Sequence, residues 1–260
     1  MSTNVTEIFD LLSDRYELLQ LLAAESYSQQ QLVKKTELSQ STVSRALTRL
    51  QDLGIVSESD GQYEITLLGV LVHDKYESHI AEFEQLYEAK GILHELPAEV
   101  PIDPALLAGA EVTTSKPHAP DAPLAPILRL TREATTIKCA ANVLHTGYRE
   151  TFENRMCESE LETEFVITEA VAEQSRAIDN GYDRTPREDG RVDMYKTDTL
   201  PYSLFLVETT TGTYTGLVVS ADGGTQGTLV NSSDEAYQWA QNQYEQFKSE
   251  ATRWDPYSDA

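Results

Sequence analysis

The sequence predicts an α+β protein in which a small domain of three helices and a β-hairpin precedes a C-terminal α/β domain with a mixed sheet. Before residue 54, apolar residues recur at helical spacing in three successive segments, and a hairpin signal follows them. Beyond residue 126, helix and strand patterns alternate, which is typical of an α/β domain. Seven of the ten prolines lie between Pro97 and Pro126. We therefore predict domains at 1–91 and 127–255, joined by a Pro-rich connection at 92–126.

The three N-terminal helices are predicted from apolar spacing and capping residues. The first extends from Val5 to Ala24. Ser28 with Gln31 is a capping-box pattern that opens a short second helix. Ser39 is placed to cap the third helix, and Gly54 stands where a helix commonly ends. The apolar residues of the third helix follow the spacing i, i+3, i+4, i+7: Val43, Ala46, Leu47, Leu50 and Leu53.

A hairpin and a long helix follow. Asp60-Gly61 lies between two strand-like segments and is a strong hairpin signal. The long helix is predicted from about Thr66 to Gly91. Three helices followed by a hairpin is the order of a winged helix-turn-helix, in which the second helix of the pair enters the DNA major groove. Here that helix is Gln40–Leu53, and the hairpin is the wing.

Polar side chains occupy the face of Gln40–Leu53 opposite its apolar stripe. Arginine can read a guanine edge through two hydrogen bonds, and hydroxyl and amide groups can contact bases or phosphates. The two lysines of the preceding helix are placed to contact the DNA backbone, and the wing is able to reach a minor groove or sugar. The predicted DNA-binding residues are Lys34, Lys35, Gln40, Ser41, Thr42, Ser44, Arg45, Thr48, Arg49, Gln62 and Tyr63.

The net charge of −23, from 43 acids and 20 bases, argues at first against binding to nucleic acid. Its distribution changes that interpretation. Residues 1–75 carry −5 and residues 76–260 carry −18, while 28–63 has four bases and four acids. We interpret the excess acid as a surface suited to a high-salt cytoplasm, where charge repulsion is screened. A disordered acidic protein is disfavoured by the well-patterned apolar content.

Segment 31–56 resembles the core of bacterial and archaeal winged-helix regulators, most clearly in the Ser-Thr-Val-Ser-Arg-Ala-Leu run at 41–47 and the Leu-Gly-Ile-Val exit at 53–56. The whole chain resembles archaeal, especially haloarchaeal, regulators that pair such a domain with a C-terminal domain related to the methanogenesis-regulatory family. Segments 201–207, 224–230 and 237–240 carry that second resemblance. It implies a ligand-sensing or dimerising role for the C-terminal half.

The C-terminal half is predicted to alternate between helices and strands. A sensor pocket is expected at the strand ends of its sheet, with Arg149, Asp193, Tyr195 and Tyr202 as ligand-binding candidates. Ser232 with Glu235 fits a second capping box. The predicted helices are 125–133, 146–157, 169–180 and 232–254, and the predicted strands are 110–114, 136–143, 161–168, 191–196, 203–208, 213–219 and 227–230.

Sequence motifs predict no catalytic residue, metal or cofactor. The C-terminal half bears a distant resemblance to phospholipase D-like sensor domains, whose catalytic relatives need His-x-Lys followed by an acid. His73-Asp74-Lys75 has Ile80 where that acid should stand, and it lies outside the C-terminal half. The spacing of Cys139, His145 and Cys157 fits no common zinc pattern.

These observations predict a cytoplasmic, DNA-binding transcriptional regulator that is not an enzyme. The chain has no apolar run long enough to span a membrane and no basic N-terminal region of a secretory signal. We expect a homodimer on a palindromic operator, with the long helix from Thr66 and the terminal helix as dimer elements, and a small molecule or partner as effector. Two alternatives stay open: an enzyme acting on a phosphorylated or nucleotide substrate, and a winged-helix interaction module that does not bind DNA.

Overall fold

The computed structural model describes residues 3–145, 151–152, 155, 161–178, 192–221 and 224–255. The chain divides into two compact units, Met1–Phe83 and Glu84–Ala260. Among the described residues, no helix combines the length and apolar character needed to cross a membrane.

The N-terminal unit contains the predicted three helices and hairpin. Asp60 and Gly61 both have positive φ, 51° and 74°. Two successive left-handed residues form the tight turn whose twist matches that of the adjoining strands, so the hairpin has a two-residue loop. The elements are α1 (Thr3–Ala24), α2 (Gln29–Lys35), α3 (Gln40–Asp52), β1 (Val56–Ser59), β2 (Gln62–Ile65) and α4 (Leu67–Glu88), which continues past the division between the units.

Local capping signals fix the ends of α2 and α3. Ser28 and Gln31 make both hydrogen bonds of the predicted capping box, and the Ser39 side chain accepts from the amide of Thr42. Gly54, at φ 72°, follows the end of α3. These ends orient α3 so that its apolar face lies in a core with the leucines of α1 and α2. Each fully buried leucine stabilises this core by about 1.5–3 kcal/mol. The core residues include Leu18, Leu19, Leu32, Val43, Leu47, Leu50 and Ile55.

The described residues of the C-terminal unit form an eight-stranded sheet, and its mixed strand directions confirm the predicted mixed sheet. Its strand order is β10-β6-β5-β4-β7-β8-β9-β3, and only the β4–β5 and β5–β6 pairs are parallel. The strands are β3 (Glu111–Thr114), β4 (Ala134–Ala141), β5 (Glu162–Thr168), β6 (Val192–Thr197), β7 (Ser203–Thr209), β8 (Thr213–Ala221), β9 (Gly224–Asn231) and β10 (Thr252–Arg253). The described helices are α5 (Lys90–Leu93), α6 (Pro104–Leu107), a 3₁₀ turn (Ala122–Leu124), α7 (Ala125–Glu133), α8 (Glu169–Ile178) and α9 (Asp234–Ser249).

Alternate residues of the central strands enter two cores on opposite faces of this sheet. Leu204 of β7 packs with Tyr244 of α9 on one face. Phe205 packs with Ile127 of α7 on the other. The central strands are therefore buried on both faces, which explains their continuous apolar runs.

The Pro-rich segment 92–126 contributes ordered elements to the C-terminal unit. Leu106 and Leu107 of α6 are buried in the core that also holds Leu204. β3 pairs with β9 at one edge of the sheet. The predicted division of the chain into domains at 1–91 and 127–255 with a connection at 92–126 stays a prediction.

The end of the chain differs from the prediction in two respects. The terminal helix was expected to continue to residue 254, but α9 ends at Ser249 and β10 pairs with β6 instead. The N-cap is Ser233, whose side chain accepts from the amide of Ala236, and Ser232 is therefore the wrong cap. The side-chain oxygen of Asn231 accepts a hydrogen bond from the backbone amide of Ser233. This contact fixes the start of α9 one residue later than the motif suggested. Most of the predicted helix 146–157 lies outside the described residues.

Candidate nucleic-acid interface

The helix α3 buries one face and exposes a polar one. Val43, Ala46, Leu47 and Leu50 are buried in the N-terminal core. All but one of the predicted DNA-facing residues of α3 are exposed. The exposed residues are Gln40, Ser41, Ser44, Arg45, Thr48 and Arg49. The exception is Thr42, which is half-buried and has its hydroxyl 2.8 Å from the Ser39 hydroxyl. Thr42 therefore takes part in capping the helix.

The two arginines of α3 differ in their partners. The Arg45 Nε donates to the Ser41 carbonyl oxygen at 3.3 Å, one turn earlier on the same helix. Arg45 is exposed, and it makes no ion pair with a carboxylate in the described part of the chain. Arg49 Nη2 lies 3.4 Å from Glu7 Oε1 on α1, and the two side chains are 47% and 40% exposed.

The two lysines of α2 extend the basic character of this surface. Lys34 and Lys35 lie in the last turn of α2, and both are exposed. Lys35 Nζ lies 5.0 Å from the centroid of the Tyr27 ring, a favourable cation–π distance. The Tyr27 hydroxyl is hydrogen-bonded to the Glu25 carboxylate, which raises the Tyr27 pKa.

The β1–β2 hairpin is anchored to the rest of the N-terminal unit at Tyr63. Backbone hydrogen bonds of 2.8 and 3.2 Å join Tyr63 to Tyr27 in both directions. The side chains of Gln62 and Tyr63 are half-buried, and Tyr63 packs against the N-terminal core.

The exposed tip of the β1–β2 hairpin is acidic. It carries the carboxylates of Glu58 and Asp60, and Glu58 Oε1 accepts from the amide of Gly61 at 3.0 Å. The tip carboxylates would be repelled by DNA phosphates, and the neutral side chains of the hairpin point partly inward. The positive charge of the N-terminal surface is therefore concentrated on α2 and α3.

The predicted ligand-binding residues do not form one described cluster. Arg149 lies outside the described residues. Asp193 Oδ1 on β6 accepts from Arg253 Nη2 at 2.8 Å. The Tyr195 ring lies 4.8 Å from Lys248 Nζ. Tyr202 is fully buried in the core shared with α9.

The Tyr202 hydroxyl has no hydrogen-bond partner among the described residues, and burial raises its pKa. Nearby on the same side of the sheet, Glu164 Oε2 accepts from Lys248 Nζ at 2.6 Å. That hydrogen bond is the main cause of the raised Lys248 pKa. Through Lys248, these contacts join α9 to Glu164 and Tyr195 of the sheet.

The structure shows the surroundings of His73 and Cys139, two residues of the motifs that predicted no catalytic or metal site. His73 of α4 stacks on Tyr16 of α1, with ring centroids 5.5 Å apart. Cys139 is buried, and desolvation raises the pKa of its thiol. Cys157 lies outside the described residues. Within the described ranges, no group of three or more His, Cys, Asp or Glu side chains is arranged to hold a metal ion.

Sequence reasoning missed Glu7. Glu7 lies on α1, which begins at Thr3. Its contact with Arg49 joins residues 42 positions apart. No local pattern signals such a contact, because it depends on how α1 packs against α3.

Two family models match the chain. Residues 120–250 match the family described as methanogenesis regulatory protein FilR1, middle domain. Residues 6–86 match the HVO_A0261 N-terminal domain. No curated protein matches the sequence of the chain.

Similar solved structures are distant. One is TrmBL2, described as an archaeal chromatin protein with a novel mode of DNA binding, at TM-score 0.42 and 13% identity over 96% of this chain and 99% of that one. Another is Nuc from Salmonella typhimurium, a phospholipase D family member, at TM-score 0.39 and 8% identity over 56% of this chain and 98% of that one. NucT from Helicobacter pylori gives TM-score 0.40 and 10% identity over the same shares. Likeness at this level implies nothing about binding or catalysis.

Proposed function

The chain belongs to the family of the methanogenesis regulatory protein FilR1, middle domain, whose model covers just over half of its length, and on that premise we propose that it is a sequence-specific DNA-binding transcriptional regulator. Its N-terminal unit acts as a winged helix-turn-helix. Its C-terminal unit regulates that unit and is not an enzyme.

The observation that carries this proposal is the exposed polar face of α3. The helix is held by a capped N-terminus and a buried apolar stripe, so its opposite face is presented in a fixed orientation. That face combines the arginines Arg45 and Arg49 with hydroxyl and amide side chains, the groups used for reading base edges in a major groove and for contacting the phosphates beside it. Lys34 and Lys35 supply phosphate contacts beside it.

The acidic composition fits the same proposal in an archaeal, high-salt cytoplasm. Only four bases lie between residues 28 and 63, so few counterions would be released from DNA on binding. Affinity should therefore fall slowly with added salt. A strongly basic domain would lose its operator under the same conditions.

The experiment compares the wild-type protein with the double variant Arg45→Ala, Arg49→Ala. DNA fragments bound by the wild type are first mapped across the source genome at native salt. Binding to an enriched fragment is then measured by fluorescence anisotropy. We expect the double variant to lose binding while its circular dichroism is unchanged. Lys75→Ala is the control, because Lys75 is an exposed cation on α4.

Three outcomes would contradict the proposal. Unchanged binding by the double variant would exclude α3 as the reading element. Absence of enriched genomic sites for the wild type would favour a winged-helix module that binds another macromolecule. Turnover of a phosphorylated or nucleotide substrate by the purified protein would favour the enzyme alternative.

The homodimer of the proposal is supported by an apolar stripe on α4. Tyr76 on this stripe is covered by Tyr16 of α1, with ring centroids 4.7 Å apart. Ile80 and Phe83 continue the stripe at positions i+4 and i+7, and both are exposed. Phe9 of α1, also exposed, extends the patch. A second copy of α4 is the proposed cover, because a twofold interface uses the same patch on both chains.

The terminal helix was the other predicted dimer element. Ala236, Ala240 and Tyr244 of α9 are buried. Ala240 and Tyr244 pack against the sheet of the same chain. This leaves α4 as the better-supported dimer element.

Sedimentation equilibrium of Phe83→Ser should show a weakened dimer. Leu71→Ser, which alters a similarly exposed residue on the opposite side of α4, is the control. Equal dissociation of both variants, or a monomeric wild type, would contradict this interface.

The proposal includes an effector that binds the C-terminal unit. The family description names a regulatory protein, which supports a regulatory role for residues 120–250. A small molecule or partner that binds this unit would change operator affinity. Equilibrium binding to the operator with and without cell extract metabolites tests for such a response.

A further inference from the structure

Glu7 on α1 and Arg49 on α3 form an ion pair on the surface proposed to bind DNA. The Arg49 Nη2 and the Glu7 Oε1 are 3.4 Å apart, and close to half of each side chain is exposed. Arg49 lies in the last turn of α3. The pair therefore places a carboxylate beside one of the four basic residues of the proposed interface.

Arg45, one turn earlier, provides the contrast. Its described contact is with the carbonyl oxygen of Ser41 on its own helix. It can move toward DNA without leaving a carboxylate behind. Arg49 cannot, because its guanidinium is shared with Glu7.

When DNA binds, a phosphate and the Glu7 carboxylate become alternative acceptors for the Arg49 guanidinium. A phosphate and the Glu7 carboxylate are both anions, and they repel each other when both lie beside one guanidinium. An exposed ion pair is weak and easily exchanged, whereas DNA presents a dense line of phosphates. Arg49 is therefore expected to leave Glu7 when DNA binds.

We propose that Glu7 competes with the DNA backbone for Arg49 and thereby lowers both the affinity and the salt dependence of DNA binding. This inference rests on the proposed function. When Arg49 moves to a phosphate, a counterion leaves the DNA, and the freed Glu7 carboxylate attracts a cation from solution. The net release of ions is then smaller, by up to about one, than it would be without Glu7.

The test is the variant Glu7→Gln, which keeps the shape of the side chain and removes its charge. Asp10→Asn is the matched control, because Asp10 is an exposed acid one turn later on α1 and makes no ion pair with a described residue. Dissociation constants for a wild-type operator are measured by anisotropy over a series of KCl concentrations. Thermal unfolding of each variant checks that the fold is retained.

We expect Glu7→Gln to bind up to about fivefold more tightly at low salt. Its plot of log affinity against log salt should be steeper than that of the wild type, by up to about one. Asp10→Asn should change the slope much less. In the background of Arg49→Ala, Glu7→Gln should have no effect, because the competition needs both residues.

Two results would overturn the inference while leaving the proposed function intact. Unchanged affinity and slope in Glu7→Gln would show that Glu7 does not compete. Weaker binding would show that Glu7 orients Arg49 toward DNA. Failure of the wild-type protein to bind any DNA would instead overturn the proposed function, and this inference with it.

Discussion

The side-chain amide of Asn231 donates a hydrogen bond of 3.0 Å to the carbonyl oxygen of Leu106, joining residues 125 positions apart. The same nitrogen lies 3.2 Å from the carbonyl oxygen of Ala105 and 2.7 Å from that of Ala108. Asn231 thus satisfies the carbonyl groups at the end of α6, where a helix has no internal donors left. This contact explains why a Pro-rich segment with weak helix signals is ordered against the sheet.

Replacing Asn231 by alanine should lower the free energy of unfolding of the protein by about 1–3 kcal/mol, because buried carbonyl oxygens lose their donor. Urea denaturation measures the change. Asn242→Ala, on the exposed side of α9, is the control and should change stability by less than about 0.5 kcal/mol. Equal stability of the two variants would mean that water or a neighbouring group replaces the Asn231 amide.

The cap of α3 gives a second prediction. The Ser39 hydroxyl accepts from the amide of Thr42 at 3.2 Å. Ser39→Ala removes this acceptor and should destabilise the N-terminal unit by about 1 kcal/mol. Ser44→Ala, an exposed position within the helix, should be neutral in the same thermal unfolding experiment. Operator affinity should fall in Ser39→Ala as the first turn of α3 frays. Unaltered stability would show that the cap contributes little.

Gly69 allows close approach of α4 to the hairpin strands. A Cβ atom there would lie 2.2 Å from the Ile55 carbonyl oxygen and 2.6 Å from Ile65 Cγ1. Gly69→Ala should therefore destabilise the N-terminal unit by about 1–3 kcal/mol through overpacking. Gly91→Ala is the control, since a Cβ at Gly91 would meet no atom within 4 Å. Calorimetry that found the two variants equally stable would contradict this packing.

The hydroxyl groups of the buried Tyr202 and the half-buried Tyr237 should respond differently to removal. Tyr202 has no described hydrogen-bond partner, whereas the Tyr237 hydroxyl donates to Glu208 Oε1 at 3.0 Å. At neutral pH, Tyr202→Phe should be neutral or stabilising, and Tyr237→Phe should cost about 1 kcal/mol. Urea midpoints measure both. A loss in Tyr202→Phe as large as in Tyr237→Phe would indicate that the Tyr202 hydroxyl has a partner.

Tyr202 also predicts sensitivity to alkaline pH. Burial raises its pKa in the folded state above the ordinary value of 10.0. Stability from the protonated hydroxyl is fully present below pH 10 and declines above it, because the unfolded chain then ionises while the folded chain resists. The wild type should therefore lose more stability above pH 10 than Tyr202→Phe does. Equal losses would assign the alkaline sensitivity to other groups.

The features predicted correctly from sequence depend on neighbouring residues. Ser28 with Gln31, Ser39, Gly54 and Asp60-Gly61 each act over a few positions, and each begins a helix, ends a helix or forms a turn where expected. The mixed sheet was predicted from alternating patterns. These signals are readable because the energy of a cap or turn is set by local backbone geometry.

The features that were missed depend on contacts between distant segments. β10 pairs with β6 across more than fifty residues, and its two residues carry no strand pattern of their own. The packing of Tyr63 against the N-terminal core was not foreseen, and its contact with DNA stays a prediction. The contact between Glu7 and Arg49 is of the same kind. Such relationships follow from tertiary packing, which spacing and propensity do not determine.

The most direct test of the central proposal is selection of DNA from a random pool by the wild type and by Arg45→Ala, followed by sequencing. If α3 reads bases, the wild type should enrich a motif with two inverted half-sites about one helical turn apart. Arg45→Ala should lose the preference for guanine at one position of each half-site. Enrichment of the same motif by both proteins, or of no motif by the wild type, would contradict the assignment of α3 as the DNA-reading helix.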